Sequence, residues 1–158
     1  MGFKNILVPY DGSEHANRAL AAAKDLVQDS PDAKVTVLNV IPMSVAPTVS
    51  ESDPVLGSAA TFIDYRDYEE LFDDTLKRLR DDMIKQVGNT LDGLGEGQVE
   101  YNTIAHPSAI QGISEYATTH ECDLIVMGRR GLGAIRGMLG SVSYGVLRTV
   151  DLPVLTIK

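Results

Sequence analysis

Apolar residues along this chain fall into two rhythms that take turns. Short, nearly continuous apolar runs predict strands covered on both faces: Ile6-Leu7-Val8 within Lys4 to Tyr10, Val35 to Ile41, Leu124 to Met127 and Val154 to Ile157. Val99 to Ile104 alternates instead, as a strand with one wetter face does. Between these runs, apolar residues recur every three or four positions, the period of a helix. Ala16, Ala19, Leu20 and Ala23 form one such stripe, capped by Ser13 and running to about Leu26-Val27. Tyr68, Leu71, Phe72, Leu76, Leu79 and Met83 form the next, from Tyr65 to about Leu91. Its Asp74/Arg78 and Arg78/Asp82 spacings mark a solvated outer face. His106-Pro107-Ser108 starts a third helix through Ile110, Ile113 and Tyr116-Ala117, with Pro107 in its first turn. Ser141 caps a fourth, ahead of Val142, Val146 and Leu147. Strand and helix alternate throughout, which calls for a parallel sheet with helices on both faces.

Two places interrupt the rhythm. Pro42 ends the hydrogen bonding of the second strand. From Met43 to about Asp64 no period is visible, and Pro47, Pro54, Gly57 and several serines fall there. A connection of that length is expected to be mobile. The remainder reads as one domain spanning residues 1–158.

Composition narrows the class. With 44% apolar and 23% charged residues, this is the make-up of a soluble globular protein. No apolar run approaches the ~20 residues of a membrane helix. The opening MGFKNILVPYDGSE lacks a signal peptide's apolar core. The single cysteine, Cys122, has no partner for an internal disulfide, which fits a reducing cytoplasm. A net charge of −8 argues against nucleic acid as a partner. His15 and His120 have no companion at metal-ligand spacing, so no metal site is expected.

The chemistry concentrates between Asp123 and Tyr144. A buried strand ends at Gly128, and a loop follows that carries Gly131, Gly133, Gly137 and Gly140 with Arg129, Arg130 and Arg136. A helix then begins. Glycine lets backbone approach a phosphate, and the free N–H groups at a helix start attract its charge. No Gly-x-x-x-x-Gly-Lys-Ser/Thr occurs, so this is not a P-loop. Nor is it a dinucleotide fingerprint, which belongs after the first strand with an acidic residue about 20 positions on. Asp11 sits at the end of the first strand, where a turn-capping carboxylate and a ligand contact share one geometry. His106 beside Pro107 is read as a cap, and Cys122 as an inert small residue.

The run Gly128-Arg129-Arg130-Gly131, then Leu132 to Leu139, then Gly140-Ser141 resembles the Gly-x2-Gly-x9-Gly-Ser/Thr motif of ATP-binding universal stress proteins. The intervening segment here is one residue shorter than in that motif. The likeness covers nearly the whole chain. It implies a Rossmann-like fold of the adenine nucleotide alpha hydrolase type, with strand order 3-2-1-4-5 and the ligand crevice between strands 1 and 4. It further implies ATP as ligand, with AMP or ADP as substitutes and Mg²⁺ carried by the nucleotide. Asp11 would lie beside the adenosine. Val40 would touch the adenine, unless it is simply a core valine. The implied binding set takes Pro9, Tyr10, Asp11 and Val40 from the first two strands, and Met127, Gly128, Arg130, Gly131 and Gly133 from the fourth strand and loop. Gly140, Ser141, Val142 and Ser143 complete it at the last helix, and no catalytic residue is implied. Family members pair through the last strand, here Val154 to Ile157, which implies a regulatory homodimer. A slow ATPase or phosphotransferase at the same site is the alternative; a nucleotide-free interaction module is disfavoured by the retained glycines.

Overall fold

The computed structural model describes residues 2–43, 65–132 and 139–158. The order is β1 (Asn5–Pro9), α1 (Glu14–Val27), β2 (Lys34–Pro42), α2 (Tyr65–Val87), a 3₁₀ turn (Gly88–Leu91), β3 (Val99–His106), α3 (Ala109–Thr119), β4 (Leu124–Gly128), α4 (Ser141–Thr149) and β5 (Val154–Ile157). The strands form one sheet in the order β3-β2-β1-β4-β5, every pairing parallel. Ile6 of β1 is thus flanked by Val35 of β2 and Leu124 of β4.

Successive side chains on a strand point to opposite faces, and the core divides accordingly. Ile6, Val8, Val35, Val37, Leu124 and Val126 face α1 and the end of α2, where Ala19, Leu20, Ala23, Met83 and Val87 meet them. Leu7, Leu38, Ile125 and Met127 face α3 and α4, packing on Ile113, Tyr116, Ala117 and Val146. The alanine stripe of α1 explains its close seat on the sheet. A Cβ at Gly128 would fall 2.8 Å from the carbonyl carbon and Cβ of His15, and 3.0 Å from the Ala16 nitrogen. The end of β4 and the first turn of α1 therefore touch backbone to backbone.

Three local readings change. The second strand continues through Pro42, whose register partner is His106; a missing N–H does not prevent the next residue, Met43, from donating to the His106 carbonyl at 3.2 Å. Pro107 lies outside α3, whose N-cap is Ser108. Of the apolar stripe on α2, Met83 reaches the core while Leu71 stays 66% exposed. At 23 residues α2 spans about 35 Å, longer than any strand of the sheet. Asp74, Arg78 and Asp82 are exposed, the solvated face their spacing predicts, and Asp82 pairs with Lys85 at 3.2 Å. The expected mobile loop falls on residues 44–64, outside those described.

The Gly128 contact yields a stability prediction. Gly128→Ala places a carbon against backbone that cannot turn aside, an overpacking worth about 1–3 kcal/mol. Urea denaturation without any ligand should show that loss. An unchanged midpoint would mean that α1 is not held against β4 as described.

Candidate functional site

Where β1 and β4 lie side by side, the chain leaves them for opposite faces of the sheet. A crevice opens at such a point, beyond the carboxyl ends of the strands. Here it is a cavity of about 550 Å³, and it gathers every candidate residue that the structure describes. Gly133 lies outside the described residues. Pro9, Tyr10 and Asp11 enter from β1, Val40 from β2, Met127 and Gly128 from β4, Arg130 and Gly131 from the loop, and Gly140 to Ser143 from α4.

The start of α4 is its most distinctive part. Gly140, not Ser141, is the N-cap, with φ −63° and ψ 151° and no side-chain cap. Its carbonyl takes the first helical bond, from the Tyr144 N–H at 2.9 Å. The amides of Ser141, Val142 and Ser143 are left without acceptors inside the helix. By contrast α1 and α3 are capped by serine: Ser13 accepts from the Ala16 N–H at 3.1 Å, and Ser108 from the Gln111 N–H at 3.3 Å. Three orphan donors and the positive end of α4 thus face the cavity.

Those donors are held firmly. The buried Ser143 hydroxyl donates to the Gly128 carbonyl at 2.8 Å, pinning the first turn of α4 to the end of β4. What Ser143 can offer a ligand is its amide. The Arg129 N–H donates to the Ile157 carbonyl at 2.6 Å, and the Arg129 carbonyl accepts from the Gly140 N–H at 2.9 Å. Both ends of the glycine loop are therefore joined to each other and to β5.

Asp11 resolves into two roles, one for each oxygen. Oδ1 accepts from the Ser13 N–H at 3.0 Å, the turn-capping role. Oδ2 lies beside Gly131, where a Cβ would fall 2.5 Å from it. Tyr10 is buried, its hydroxyl donating to Asn17 at 2.8 Å. Burial, and secondarily the Asp11 charge, push its phenol pKa upward. Its ring belongs to the core on the α1 face, so backbone is what Tyr10 brings to the cavity. Val40 packs against the core on the α3 face and also lines the cavity, so both readings of it apply.

Some readings lead elsewhere. His106 is a capping group: its Nδ1 accepts from the Ser108 N–H at 3.0 Å, and its Nε2 lies 3.4 Å from Glu115. Cys122 is buried and its thiol pushed up to about 11, chiefly by burial, which removes nucleophilic character at neutral pH. Among the described residues no group of three or more His, Cys, Asp or Glu side chains is placed to hold a metal ion, and no helix is long and apolar enough to cross a membrane. Sequence reasoning missed the wall made by Ala109 and Ile113 of α3. Neither carries a polar flag; only the strand order, which sets α3 beside α4, could have pointed to them.

The cavity lining is of two chemical kinds. Leu38, Val40, Ile113 and Met127 offer an apolar slot, while the α4 amides and the loop backbone offer hydrogen-bond donors. Asp11 follows β1, the strand that lies between β2 and β4 in the sheet. Such a site suits a ligand with a flat apolar body and an anionic tail.

Known proteins share this architecture. The description of the universal stress protein family matches residues 2–158. A universal stress protein of Thermus aquaticus is 33% identical, the match covering 99% of each chain. Among solved structures, a universal stress protein in complex with cAMP is 19% identical, with a TM-score of 0.63 over 100% of this chain and 98% of that one. One from Archaeoglobus fulgidus in complex with dAMP is 21% identical, with a TM-score of 0.55 over 100% of both chains. The sheet order, the Rossmann-like fold and a family match along nearly the full length agree: this chain belongs to the universal stress protein family.

Proposed function

We propose that the cavity binds an adenine nucleotide, ATP with its Mg²⁺ carried by the triphosphate, and that the protein acts as a nucleotide-dependent regulator in the cytoplasm. The observation that carries this reading is the bare amino end of α4, whose first amides face the cavity without a side-chain cap. The apolar slot takes the adenine, and the amides of Ser141 to Ser143 take the phosphates. The cAMP and dAMP complexes of the two structural relatives support adenine as the base.

The N-cap position gives a direct test. Asp is a good N-cap residue, and the Gly140 backbone already has the extended geometry that position needs. An aspartate there would accept from the amides that the phosphates require, with its negative charge in their place. Its Cβ would come 3.3 Å from the Arg130 Cα, a tight but adjustable contact. Gly140→Asp should therefore fold with an unreduced melting temperature yet lose ATP binding in equilibrium dialysis. Ser141→Ala, which removes no cap, should weaken binding only several-fold. A folded Gly140→Asp protein that binds ATP like wild type would place the phosphates elsewhere.

Binding without rapid turnover is the expected behaviour. Phosphoryl transfer needs a group that positions or activates the nucleophile. Asp11 is the carboxylate among the described lining residues, and in this reading it serves the sugar rather than the phosphates. Phosphate release from the ATP-loaded protein should stay far below the ordinary enzyme range of about 1–1000 per second. A rate within it would make the slow-ATPase alternative the better description.

The regulator is a homodimer through β5. That strand pairs with β4 on one side only, and Leu155 is 40% exposed there. An open edge is a template for a second chain. Sedimentation should show a wild-type dimer and a Leu155→Lys monomer. A dimer that survives Leu155→Lys would move the interface to another surface.

A further inference from the structure

Gly131 has no conformational need to be glycine. Positive φ occurs among the described glycines at Gly12, Gly88, Gly93 and Gly97, and Gly131 is not one of them. Its reason is a neighbour. A Cβ at this position would fall 2.5 Å from Asp11 Oδ2 and 3.7 Å from its Cγ, closer than a side-chain carbon ever sits to that oxygen. Swinging the carboxylate aside costs a hydrogen bond. Its Oδ1 holds the Ser13 N–H, and Ser13 in turn caps α1 through Ala16. Rotation would give up the turn bond and disturb the cap.

The place of Asp11 says what the other oxygen is for. It follows β1, which lies in the sheet between β2, the strand of Val40, and β4, the strand that leads to α4. In a nucleotide lying across the cavity, the sugar occupies the middle. A carboxylate oxygen accepts from hydroxyls and repels phosphate. We propose that Gly131 is a positioning residue: by carrying no side chain beside Asp11, it keeps Oδ2 in place as acceptor for the sugar hydroxyls and so sets selectivity for ribonucleotides over deoxyribonucleotides. This rests on the adenine-nucleotide reading given above. Gly131 acts on the ligand's sugar through Asp11, in addition to any backbone contact of its own.

Four proteins test it: wild type, Gly131→Ala, Asp11→Ala and the double variant, each titrated calorimetrically with ATP and with 2′-deoxy-ATP. Wild type should favour ATP by about ten-fold, at the lower end for a hydrogen bond to a charged acceptor because Asp11 is exposed. Gly131→Ala should bind ATP more weakly and lose that preference, as Asp11→Ala should. In the Asp11→Ala background, Gly131→Ala should change either affinity by less than about two-fold, since the clash is gone. Equal losses in both backgrounds, or a weakened Gly131→Ala protein that keeps its ATP preference, would overturn the proposal. Wild type that binds neither nucleotide would instead remove the nucleotide reading and the sugar role with it. The melting temperatures of the four proteins then still read the contact, lowered by Gly131→Ala only where Asp11 is present; a drop in both backgrounds would overturn the contact too.

Discussion

A backbone pressed against a backbone at Gly128 sets the geometry on which the cavity depends. On one face of the sheet its Cα meets the His15–Ala16 segment that begins α1. From the other face its carbonyl accepts the Ser143 hydroxyl at 2.8 Å, fixing the start of α4. One residue thus locks together the first turns of two helices on opposite sides of the sheet. Both helix starts must converge there, because β1 and β4 are neighbours whose chains depart to opposite faces. The crevice is a consequence of that departure. Its width depends on how closely α1 approaches, and a side chain at 128 would set that approach back.

The glycines of the loop share this logic more than the one their spacing suggests. Gly128 makes room for α1, Gly131 for the Asp11 carboxylate, and Gly140 for the Arg129–Arg130 backbone, whose Cα lies 3.3 Å from where a Cβ would sit. Close packing of protein on protein favours a glycine at 128 and 131 before any ligand arrives, while the contact at 140 is looser. It also explains why a loop one residue shorter than the family motif need not disturb the site. The Gly140 N–H reaches the Arg129 carbonyl at 2.9 Å, so the two ends of the loop are fixed to each other irrespective of what lies between.

Much of this was legible in the chain. Continuous apolar runs identified the central strands, because burial on both faces leaves no alternation to confuse with a helix. The residues after β1 and β4 were identifiable because strand ends beside a switch point are where polar and glycine residues have little other reason to collect. The N-cap of α4 was not legible to within one residue. Serine is the stronger cap by preference, yet capping depends on which carbonyl takes the first helical bond, and Gly140 does so. The exposure of Leu71 on α2 was equally hidden, since a helical stripe reports a face and not how far the core extends along it. Ala109 and Ile113 were missed for a different reason: a wall of a cavity made of ordinary core residues has no signature of its own.

An anion site in a chain of net charge −8 raises the question of which field wins. At 0.1 M salt the influence of exposed acidic residues fades over a Debye length of about 10 Å. At that distance a single charge in water contributes about 0.4 kcal/mol even before screening. The amides of Ser141 to Ser143 work at hydrogen-bonding distance, where a charge-assisted bond is worth several times that. Short-range donors therefore dominate once a phosphate has arrived, while the surrounding charge acts on its approach. Backbone amides suit the task because they have no charge to lose with pH and no side-chain rotamers to order. Their direction is set by α4, and α4 is set by Ser143 on Gly128. Recognition of the anion is in this sense a property of how the sheet and its helices pack. The proposed sugar contact differs, because there the acceptor would be a side chain, Asp11, and its aim would depend on the small space left beside it at Gly131.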